Sequence, residues 1–420
     1  MTDASCAWNN GNNNGNNNNV VGAAALPIVC DNGRPNAGMP SGPQNSIAIF
    51  QGNAQKHAPG KPGATRRRGG DSVRGAASKS TFRRNRLRIP RPSEKRYFHQ
   101  LTELASLRRF WRQVRQSRSL RPRIVKFNER MMHNLAVIQG RLRAGHFEFG
   151  PYQFFKVREK KMRSITNAPL KDRVAHWLLY EHLMRHWQRR FIHDSYGNLP
   201  GRGTHSAVKR VACWARKPSV VYALQIDISK YYPSILHAEL LRVVLAREGD
   251  HHIRQLLIDL IESYRTGTEF DHLFPEDSVY RQTTEKGLPP GSLTSQILAN
   301  IYFNEFDHWV KEVLRIKHYV RYVDDLIFLG STPEELQVIK ATVLKKLLEL
   351  GLTVTPKKIA IRKVENGIPF LGYVIWKNHI SAGAYVRRRF GKALRRHEGV
   401  DKSLAFASYR GIFKYTGATR

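Results

Sequence analysis

Residues 319–329 are the stretch of this 420-residue chain that most restricts its fold, because two adjacent carboxylates, Asp324 and Asp325, stand between two short apolar, β-favouring runs. The pattern predicts a strand, a tight turn and a second strand, with both acids at the exposed tip. Neighbouring carboxylates repel each other unless a cation or a basic partner neutralises them. Taken alone, the stretch favours an ordinary hairpin turn, so its interpretation depends on further acids.

A third acid, Asp227, ends an apolar run of strand length at 220–226. A buried strand that delivers one carboxylate beside a hairpin tip with two more provides hard oxygen ligands for two divalent cations. The alternative for Asp227 is a strand-end residue that only caps a turn. Together, the three acids predict a Mg²⁺ site for phosphoryl transfer.

At this point the chain resembles the reverse transcriptases. Asp227 with Tyr232 five residues later resembles the first motif of that family, and residues 322–325 resemble its catalytic hairpin. Further blocks follow in the family's order, and they lie at 161–163, 172–174, 195–197, 201–205, 287–296, 352–358 and 370–373. Each block alone is weak, but their order and spacing support the resemblance over about residues 130–420.

The resemblance implies a metal-dependent polymerase site. Asp227 and Asp324, with the backbone carbonyl of Ile228, would bind two Mg²⁺ ions that activate the primer 3′-hydroxyl and neutralise the leaving pyrophosphate. Asp325 would support this arrangement from the side. These expectations make the chain an RNA-directed DNA polymerase.

Basic and aromatic side chains would bind and position the nucleotide. The resemblance implies that Lys161 and Arg163 hold the triphosphate and that Tyr232 lies beneath the sugar and excludes a 2′-hydroxyl. Lys358, or Lys357 beside it, resembles a late lysine that protonates pyrophosphate. The alternatives are a solvated strand edge for the first two residues, a core aromatic for Tyr232 and an ordinary turn residue for the lysine.

The block at 287–296 distinguishes subfamilies. Most bacterial reverse transcriptases carry Gln-Gly at its start and Ser-Pro at its end, whereas this chain has Pro290 and Gly291, and Ser295 and Gln296. This pattern resembles the enzymes of diversity-generating retroelements, although those usually place an aliphatic residue where Pro290 stands. The block would lie near the nascent base pair, and the implied product is error-prone cDNA, altered at template adenines, that overwrites part of a target gene.

Two alternatives stay open. One is a retron or other bacterial reverse transcriptase of ordinary fidelity. The other is a non-catalytic RNA-binding scaffold of a defence system, against which the intact Asp227, Asp324 and Asp325 argue.

Charge favours a nucleic-acid partner. The chain has 70 Lys and Arg residues and 33 Asp and Glu residues, a formal net charge of +37, and such a field attracts polyphosphates. We expect template RNA and cDNA as partners, and the resemblance implies a small basic oligomeric accessory protein. We expect other proteins to nick DNA and remove the template. A basic membrane-surface protein is the competing interpretation, but no apolar segment or signal peptide supports it, so we expect a cytoplasmic location.

The first third of the chain predicts a separate extension. Residues 9–19 are nine Asn and two Gly, and we expect disorder over 1–80. Residues 61–130 contain 22 Lys and Arg against 4 Asp and Glu, and apolar residues recur at helical spacing over 93–119. An RNA-binding amphipathic helix is the interpretation, with a solvated charged face as the alternative. The candidate nucleic-acid contacts there are Arg83, Arg84, Arg86, Arg108 and Arg112.

The predicted fold class is α+β: a right-hand polymerase with fingers, a split βαβ palm and a short helical thumb, preceded by the disordered and basic N-terminal extension. Helices are expected at 125–144, 172–190 and 295–313, and another begins at Thr332 and ends before Gly351. Gly372, in the hairpin at 370–372, resembles part of a primer grip that contacts nucleic acid. The expected boundaries are 1–80 for the low-complexity segment, 81–129 for the basic extension, 130–225 for fingers, 226–376 for palm and 377–420 for thumb.

Overall fold

Helices open the described part of the chain. The computed structural model describes residues 92–116, 120–145, 147–158, 162–396 and 409–416. The segment 1–80, Arg83, Arg84, Arg86 and Lys161 lie outside these residues. The first helices are α1 (Pro92–Leu101), α2 (Leu104–Arg115), α3 (Pro122–Glu129) and α4 (Met131–Arg143).

Two of the predicted N-terminal helices are divided. The expected helix at 93–119 breaks before α2, where Glu103 is extended, with φ −63° and ψ 144°. The expected helix at 125–144 breaks at Arg130, which has φ −124° and ψ 37°. The predicted apolar faces are nevertheless buried, because Leu107, Phe110 and Trp111 of α2 lie in the main core.

A two-stranded hairpin and a long helix follow. Strands β1 (Gln153–Arg158) and β2 (Met162–Asn167) pair antiparallel, and α5 (Leu170–Trp187) comes next. Helix α5 packs against α2, which brings the basic N-terminal helices onto the same body as the hairpin.

A five-stranded sheet forms the centre. Its strands are β3 (Ser195–Tyr196), β4 (Tyr222–Asp227), β5 (Tyr319–Tyr322), β6 (Asp325–Gly330) and β7 (Ile359–Lys363). The order is β3-β5-β6-β4-β7, and the pairings are antiparallel except that of β3 with β5. In chain order, strand, helices, strand pair, helix and strand therefore succeed one another as the sequence predicts.

Helices connect these strands. They are α6 (Thr204–Ala215), α7 (Tyr231–Ser234), α8 (His237–Leu245), α9 (His251–Glu262), α10 (Val279–Gln282), α11 (Leu293–Tyr302), α12 (Asn304–His308) and α13 (Pro333–Glu349). The hydroxyl of Thr332 caps α13 by accepting a hydrogen bond from the Glu335 N–H, as predicted. The expected helix at 295–313 instead comprises α11, α12 and a π-helical turn, Trp309–Val313.

Alternate residues of the sheet enter two hydrophobic cores. Leu224 of β4 and Phe328 of β6 face the larger core, while their neighbours Ala223 and Ile327 face the smaller one. This period of two is the ordinary consequence of the pleat. Strands β4 and β6 are therefore packed on both faces, and their carboxylates lie at strand ends.

The C-terminal part adds a small second sheet. Strands β8 (Ile368–Phe370), β9 (Tyr373–Ile375) and β10 (Ile380–Ala382) pair in the order β10-β9-β8, and α14 (Ala384–Arg396) follows. In the segment 409–416, the ring of Tyr415 stacks on His205 of α6 at 3.9 Å between centroids. No helix in the described part of the chain is long and apolar enough to cross a membrane.

Candidate active site

Three carboxylates meet at one edge of the central sheet. Asp227, the last residue of β4, lies opposite Asp325, the first residue of β6. The backbone N–H of Ile228 donates to the carbonyl of Asp324 at 3.0 Å. The sheet register therefore brings Asp227 next to Asp324 and Asp325, although about a hundred residues separate Asp227 from that pair in the sequence.

A tight turn between β5 and β6 presents Asp324. Val323 in this turn has a φ of +56°, a left-handed conformation that β-branched residues rarely adopt. Its N–H donates to the carbonyl of Tyr196 at 3.2 Å. A Cβ on Gly197 would lie 2.6 Å from the Val323 side chain, and Gly197 itself has a φ of +85°. The block at 195–197 thus packs against the turn and accepts a hydrogen bond from it.

A fully buried guanidinium also holds this turn. Arg321 of β5 donates to the carbonyl of Val323 at 3.1 Å and forms an ion pair with Asp307 of α12 at 2.7 Å. It also donates to Asn300 and Ser195, at 2.9 and 2.8 Å. Both members of the ion pair are 0% exposed. The core is therefore bonded directly to the backbone of the turn.

Sequence reasoning missed this network. A charged residue inside the apolar run 319–329 was the available signal, since a strand that buries both faces has no place for an unpaired charge. The partner, Asp307, lies in a helix that the sequence did not connect with the hairpin.

Lys358 lies among the acids. Its ammonium donates to the Asp227 carboxylate and, at 3.3 Å, to the carbonyl of Ile228. Burial raises the pKa of Asp324, and the Asp227 carboxylate raises it further, while Lys358 and Arg163 act in the opposite direction. Two carboxylates and a carbonyl thus form a hard oxygen site that already attracts a cation, so the residues fit a divalent metal.

The hairpin β1–β2 approaches this site. Arg163 of β2 is exposed and is among the charges that act on Asp324. Thr166 donates to the carbonyl of Pro290 from both its N–H and its hydroxyl, each at 2.9 Å. A Cβ on Gly291 would lie 2.7 Å from Ile165, so only glycine allows this approach at the observed φ of +97°. Gln296 is half-buried in the first turns of α11.

Tyr232 is half-buried beside the acids. Burial raises the pKa of its hydroxyl, the Asp324 carboxylate raises it further, and a hydrogen bond from Asn198 lowers it. The preceding Tyr231 is fully buried and donates to the carbonyl of Ala299 at 2.6 Å. Of the two adjacent tyrosines, Tyr231 is therefore the core aromatic and Tyr232 borders the site.

A cavity of about 310 Å³ joins the acids to the second sheet. Asp227, Asp325 and Lys358 line one side, and Phe370 and Leu371 line the other. Gly372 follows in the same turn, is exposed and has a φ of +87°. The hairpin that resembles a primer grip therefore borders the carboxylates.

Two of the candidate arginines of the basic extension lie within the described residues. Arg108 and Arg112 are exposed on one face of α2, and the opposite face of that helix packs against α4 and α5. Arg109 is instead paired with Glu181, with Nη2 and Oε1 2.8 Å apart.

Comparisons with known proteins bear on the family of the chain. Residues 155–375 match the family model described as reverse transcriptase (RNA-dependent DNA polymerase). Protein YkfC of Escherichia coli (strain K12) is 24% identical over 286 residues, which is 58% of this chain and 71% of YkfC. An uncharacterised 91 kDa protein in the cob intron of Schizosaccharomyces pombe is 24% identical over 174 residues, 41% of this chain and 20% of that protein.

Among solved structures, apo telomerase from Candida tropicalis is similar at a TM-score of 0.43 and 12% identity, over 56% of this chain and 49% of the telomerase chain. The chain thus spans about half the length of that structure. Since the family model matches residues 155–375, more than half of the 420 residues, the chain belongs to the reverse transcriptases, the family of RNA-dependent DNA polymerases.

Proposed function

We propose that the chain copies an RNA template into DNA at the edge of the central sheet, with two Mg²⁺ ions. The observation that carries this proposal is the convergence of Asp227, Asp324 and the carbonyl of Ile228 around the ammonium of Lys358. Asp227, Asp324 and Ile228 would hold the ions, which when bound supply activation of the primer hydroxyl and neutralisation of pyrophosphate.

The chain's own residues orient the reactants. Arg163, exposed beside the acids, binds the triphosphate, and Lys161, which lies outside the described residues, does the same. Tyr232 lies beneath the incoming sugar and excludes a 2′-hydroxyl. Lys358 holds a proton at Nζ next to Asp227 and delivers it to pyrophosphate. Asp325 stabilises the arrangement from the opposite strand, and Gly372 lets the neighbouring hairpin approach the primer.

We further propose that the product is the error-prone, adenine-mutagenic cDNA of a diversity-generating retroelement. Support comes from the Pro290, Gly291 and Gln296 pattern, and from the contact of Pro290 with β2 next to the site. Template RNA, cDNA and a small basic oligomeric accessory protein are the proposed partners. The fingers, palm and thumb are assigned as 130–225, 226–376 and 377–420.

A second candidate is a retron or other bacterial reverse transcriptase of ordinary fidelity. Pro290 favours it, because the retroelement enzymes usually place an aliphatic residue at this position. Sequencing cDNA made from one template with all four bases separates the two candidates. Errors concentrated opposite adenine support the retroelement, and an even error spectrum supports the second candidate.

Replacement of one carboxylate tests the catalytic assignment. Asp227→Asn or Asp324→Asn should abolish primer extension with Mg²⁺, exceeding the roughly 100-fold loss typical of outer-shell residues, because an amide brings no charge to the ion. RNA binding should persist. Asp277→Asn, at an exposed loop position, is the matched control. Activity near the parent level in either site variant contradicts the two-metal assignment.

A further inference from the structure

Two buried histidines contact the block at 287–296, one near each end of it. His176 lies in α5, and His237 is the first residue of α8. Their side chains belong to the core, since His176 is 2% exposed and His237 is 1% exposed. The two rings come from helices on either side of the block in the chain's fold, so the block is held by elements outside itself.

His176 contacts the end of the block that begins α11. Its Nδ1 lies 2.7 Å from the Thr294 hydroxyl and 3.4 Å from the Ser292 hydroxyl, and the two hydroxyls are 3.1 Å apart. Ser292 is the N-cap residue of α11, yet its side chain makes no cap bond. A serine at this position ordinarily accepts from a backbone N–H of the first turn. The hydroxyls at the start of α11 are therefore bonded to α5 instead of their own helix.

His237 contacts the other end. Its Nε2 lies 2.8 Å from the carbonyl oxygen of Gly287, and a carbonyl can only accept, so Nε2 carries the proton and donates. The backbone adds two bonds, from the His237 N–H to Glu285 at 3.0 Å and from the Gly287 N–H to Ile235 at 2.7 Å. Gly287 has a φ of +101°, and a Cβ there would collide with the Thr266 hydroxyl. The start of the block is therefore tightly fixed.

Both rings are neutral near pH 7. Burial, with a smaller contribution from Arg173, lowers the pKa of His176 to about 3. Burial also lowers the pKa of His237, against the opposing effect of the Gly287 carbonyl. The second ring nitrogen of each residue is buried and has no hydrogen-bond partner within the described residues. Buried polar atoms are usually paired, so a side chain that served packing alone would be apolar at these positions.

The block connects the elements assigned to the nucleotide. The Leu288 N–H donates to the carbonyl of Tyr232 at 2.9 Å, and the carbonyl of Pro290 accepts from Thr166 of β2. Gln296 follows in the first turns of α11, beyond the hydroxyls that contact His176. A shift at either end of the block would therefore displace Tyr232 or Gln296.

We propose that His176 and His237 are positioning residues for the incoming nucleotide. They hold the two ends of the block at 287–296, and the block in turn places Tyr232 and Gln296 against the sugar and the base. A neutral imidazole suits this role because it supplies a rigid hydrogen-bonding group without burying a charge. The inference rests on the RNA-copying function proposed above and assigns nucleotide affinity to two residues that do not touch the nucleotide.

Exchanges of each histidine for asparagine and glutamine test the proposal. Asparagine places its amide where histidine has Nδ1, whereas glutamine reaches the position of Nε2. His176→Asn and His237→Gln should therefore keep the parent affinity for the next correct deoxynucleoside triphosphate. His176→Gln and His237→Asn should weaken it by roughly 10-fold to 100-fold, because a misplacement of about 1 Å can cost about 100-fold. The dissociation constant is measured on a primer–template whose primer ends in a dideoxynucleotide, so that no reaction follows binding.

His182 provides the matched control on α5. It is as buried as His176, but its Nε2 contacts the Glu248 carboxylate at 2.6 Å and not the block. His182→Asn and His182→Gln should both leave the nucleotide affinity unchanged. Thermal melting shows whether each variant is folded. If a His176 variant does not fold, Ser292→Ala/Thr294→Val removes the hydroxyls opposite the ring and should weaken nucleotide binding by the same factor.

Parent-level affinity in all four variants of His176 and His237 overturns the inference. Equal losses in all four also overturn it, because the bulk of the imidazole would then matter and not the position of its nitrogen. A parent chain that extends the primer while the four variants bind the nucleotide alike contradicts this inference alone. A parent chain that shows the expected order of affinities but extends no primer supports the inference and contradicts the polymerase function.

Discussion

Val323 combines a β-branched side chain with a φ of +56° in the turn that presents Asp324. Backbone strain of this kind costs about 1–3 kcal/mol and persists only where the surroundings enforce it. Here the enforcement comes from Tyr196, which accepts from the Val323 N–H, and from Arg321, which donates to its carbonyl. The turn is thus clamped on both sides of the strained residue.

Replacement of Arg321 tests whether its contacts hold this turn in place. Arg321→Met leaves Asp307 buried without its charge partner and should lower the free energy of unfolding by about 3–5 kcal/mol. Arg321→Met/Asp307→Leu should recover much of this stability, because it removes both charges, yet primer extension should stay impaired because the Val323 carbonyl still lacks its donor. Urea denaturation and primer extension measure the two effects. Parent-level activity in the double variant would show that the pair serves stability alone.

Substitution of Tyr232 tests how the enzyme selects the sugar of the incoming nucleotide. Tyr232→Ala should raise the use of ribonucleotides relative to deoxyribonucleotides, because space opens where a 2′-hydroxyl would lie. Tyr232→Phe keeps the ring and loses only the bond with Asn198, so it should retain the parent preference. Competition between the two nucleotide types during primer extension measures this. An unchanged preference in an active Tyr232→Ala chain would make Tyr232 a packing residue.

At the level of single residues, the sequence was enough to predict that the three acids form one site. It did not predict the residues that hold the turn of Asp324 in place. Asp227, Asp324 and Asp325 were recognisable because carboxylates at the ends of apolar runs are unusual. The contacts of Arg321 depend on Asp307 and Asn300, whose positions follow from how two helices pack on the sheet. No local pattern encodes that packing.

Among the elements, strand β2 contacts the block at 287–296 beside the acids. The carbonyl of Pro290 receives two hydrogen bonds from Thr166, and Gly291 lies against Ile165. A proline at this position has no N–H with which to hold another group. These contacts therefore fix the path of the backbone, and Pro290 itself offers no hydrogen-bond donor to a neighbouring group.

This geometry motivates a fidelity test. Pro290→Gln should lower misincorporation opposite template adenine more than opposite the other bases, because glutamine adds a donor near the base pair. Pro275→Gln, at an exposed loop position, is the control. Sequencing of cDNA made on one mixed template provides the error rates. Equal accuracy at all four bases in the parent would remove the mutagenic interpretation.

Element types were more predictable than their ends. The period of the apolar residues indicated helices over 93–119 and 125–144, but it runs on through Glu103 and Arg130, where the chain bends. Each bend lets the next helix turn its apolar face to α5 or α9, which is a tertiary requirement. The cap of α13 was predicted correctly because Thr332, Pro333 and Glu335 act locally.

Across the molecule, α1 and α2 are part of the main core. Phe98 and Leu101 of α1 lie in the same hydrophobic core as Val174 and Leu178 of α5. Arg185 lies 4.1 Å from the ring centroid of Tyr97, and Phe98 stacks on His252 at 4.7 Å. The basic face of α2 is therefore held rigidly on the body that carries the hairpin β1–β2.

That face should contribute to RNA affinity. Arg108→Ala/Arg112→Ala/Arg115→Ala removes three exposed charges from one side of α2 and should lower the salt slope of single-stranded RNA binding by about 2, at roughly 0.7 per phosphate contact. Arg109→Ala, which removes a residue paired with Glu181, is the control and should leave the slope unchanged. Equal slopes for parent and triple variant would mean that this face does not touch RNA.

The fit of Val323 against Gly197 links the evolution of two distant positions. The side chain at 323 occupies the space that a Cβ at 197 would need, and the φ of +85° at Gly197 strains any other residue there, so position 197 cannot enlarge while 323 and the local backbone stay as they are. Among relatives, a residue other than glycine at 197 should therefore occur only together with a smaller side chain at 323 and a changed backbone path at 197.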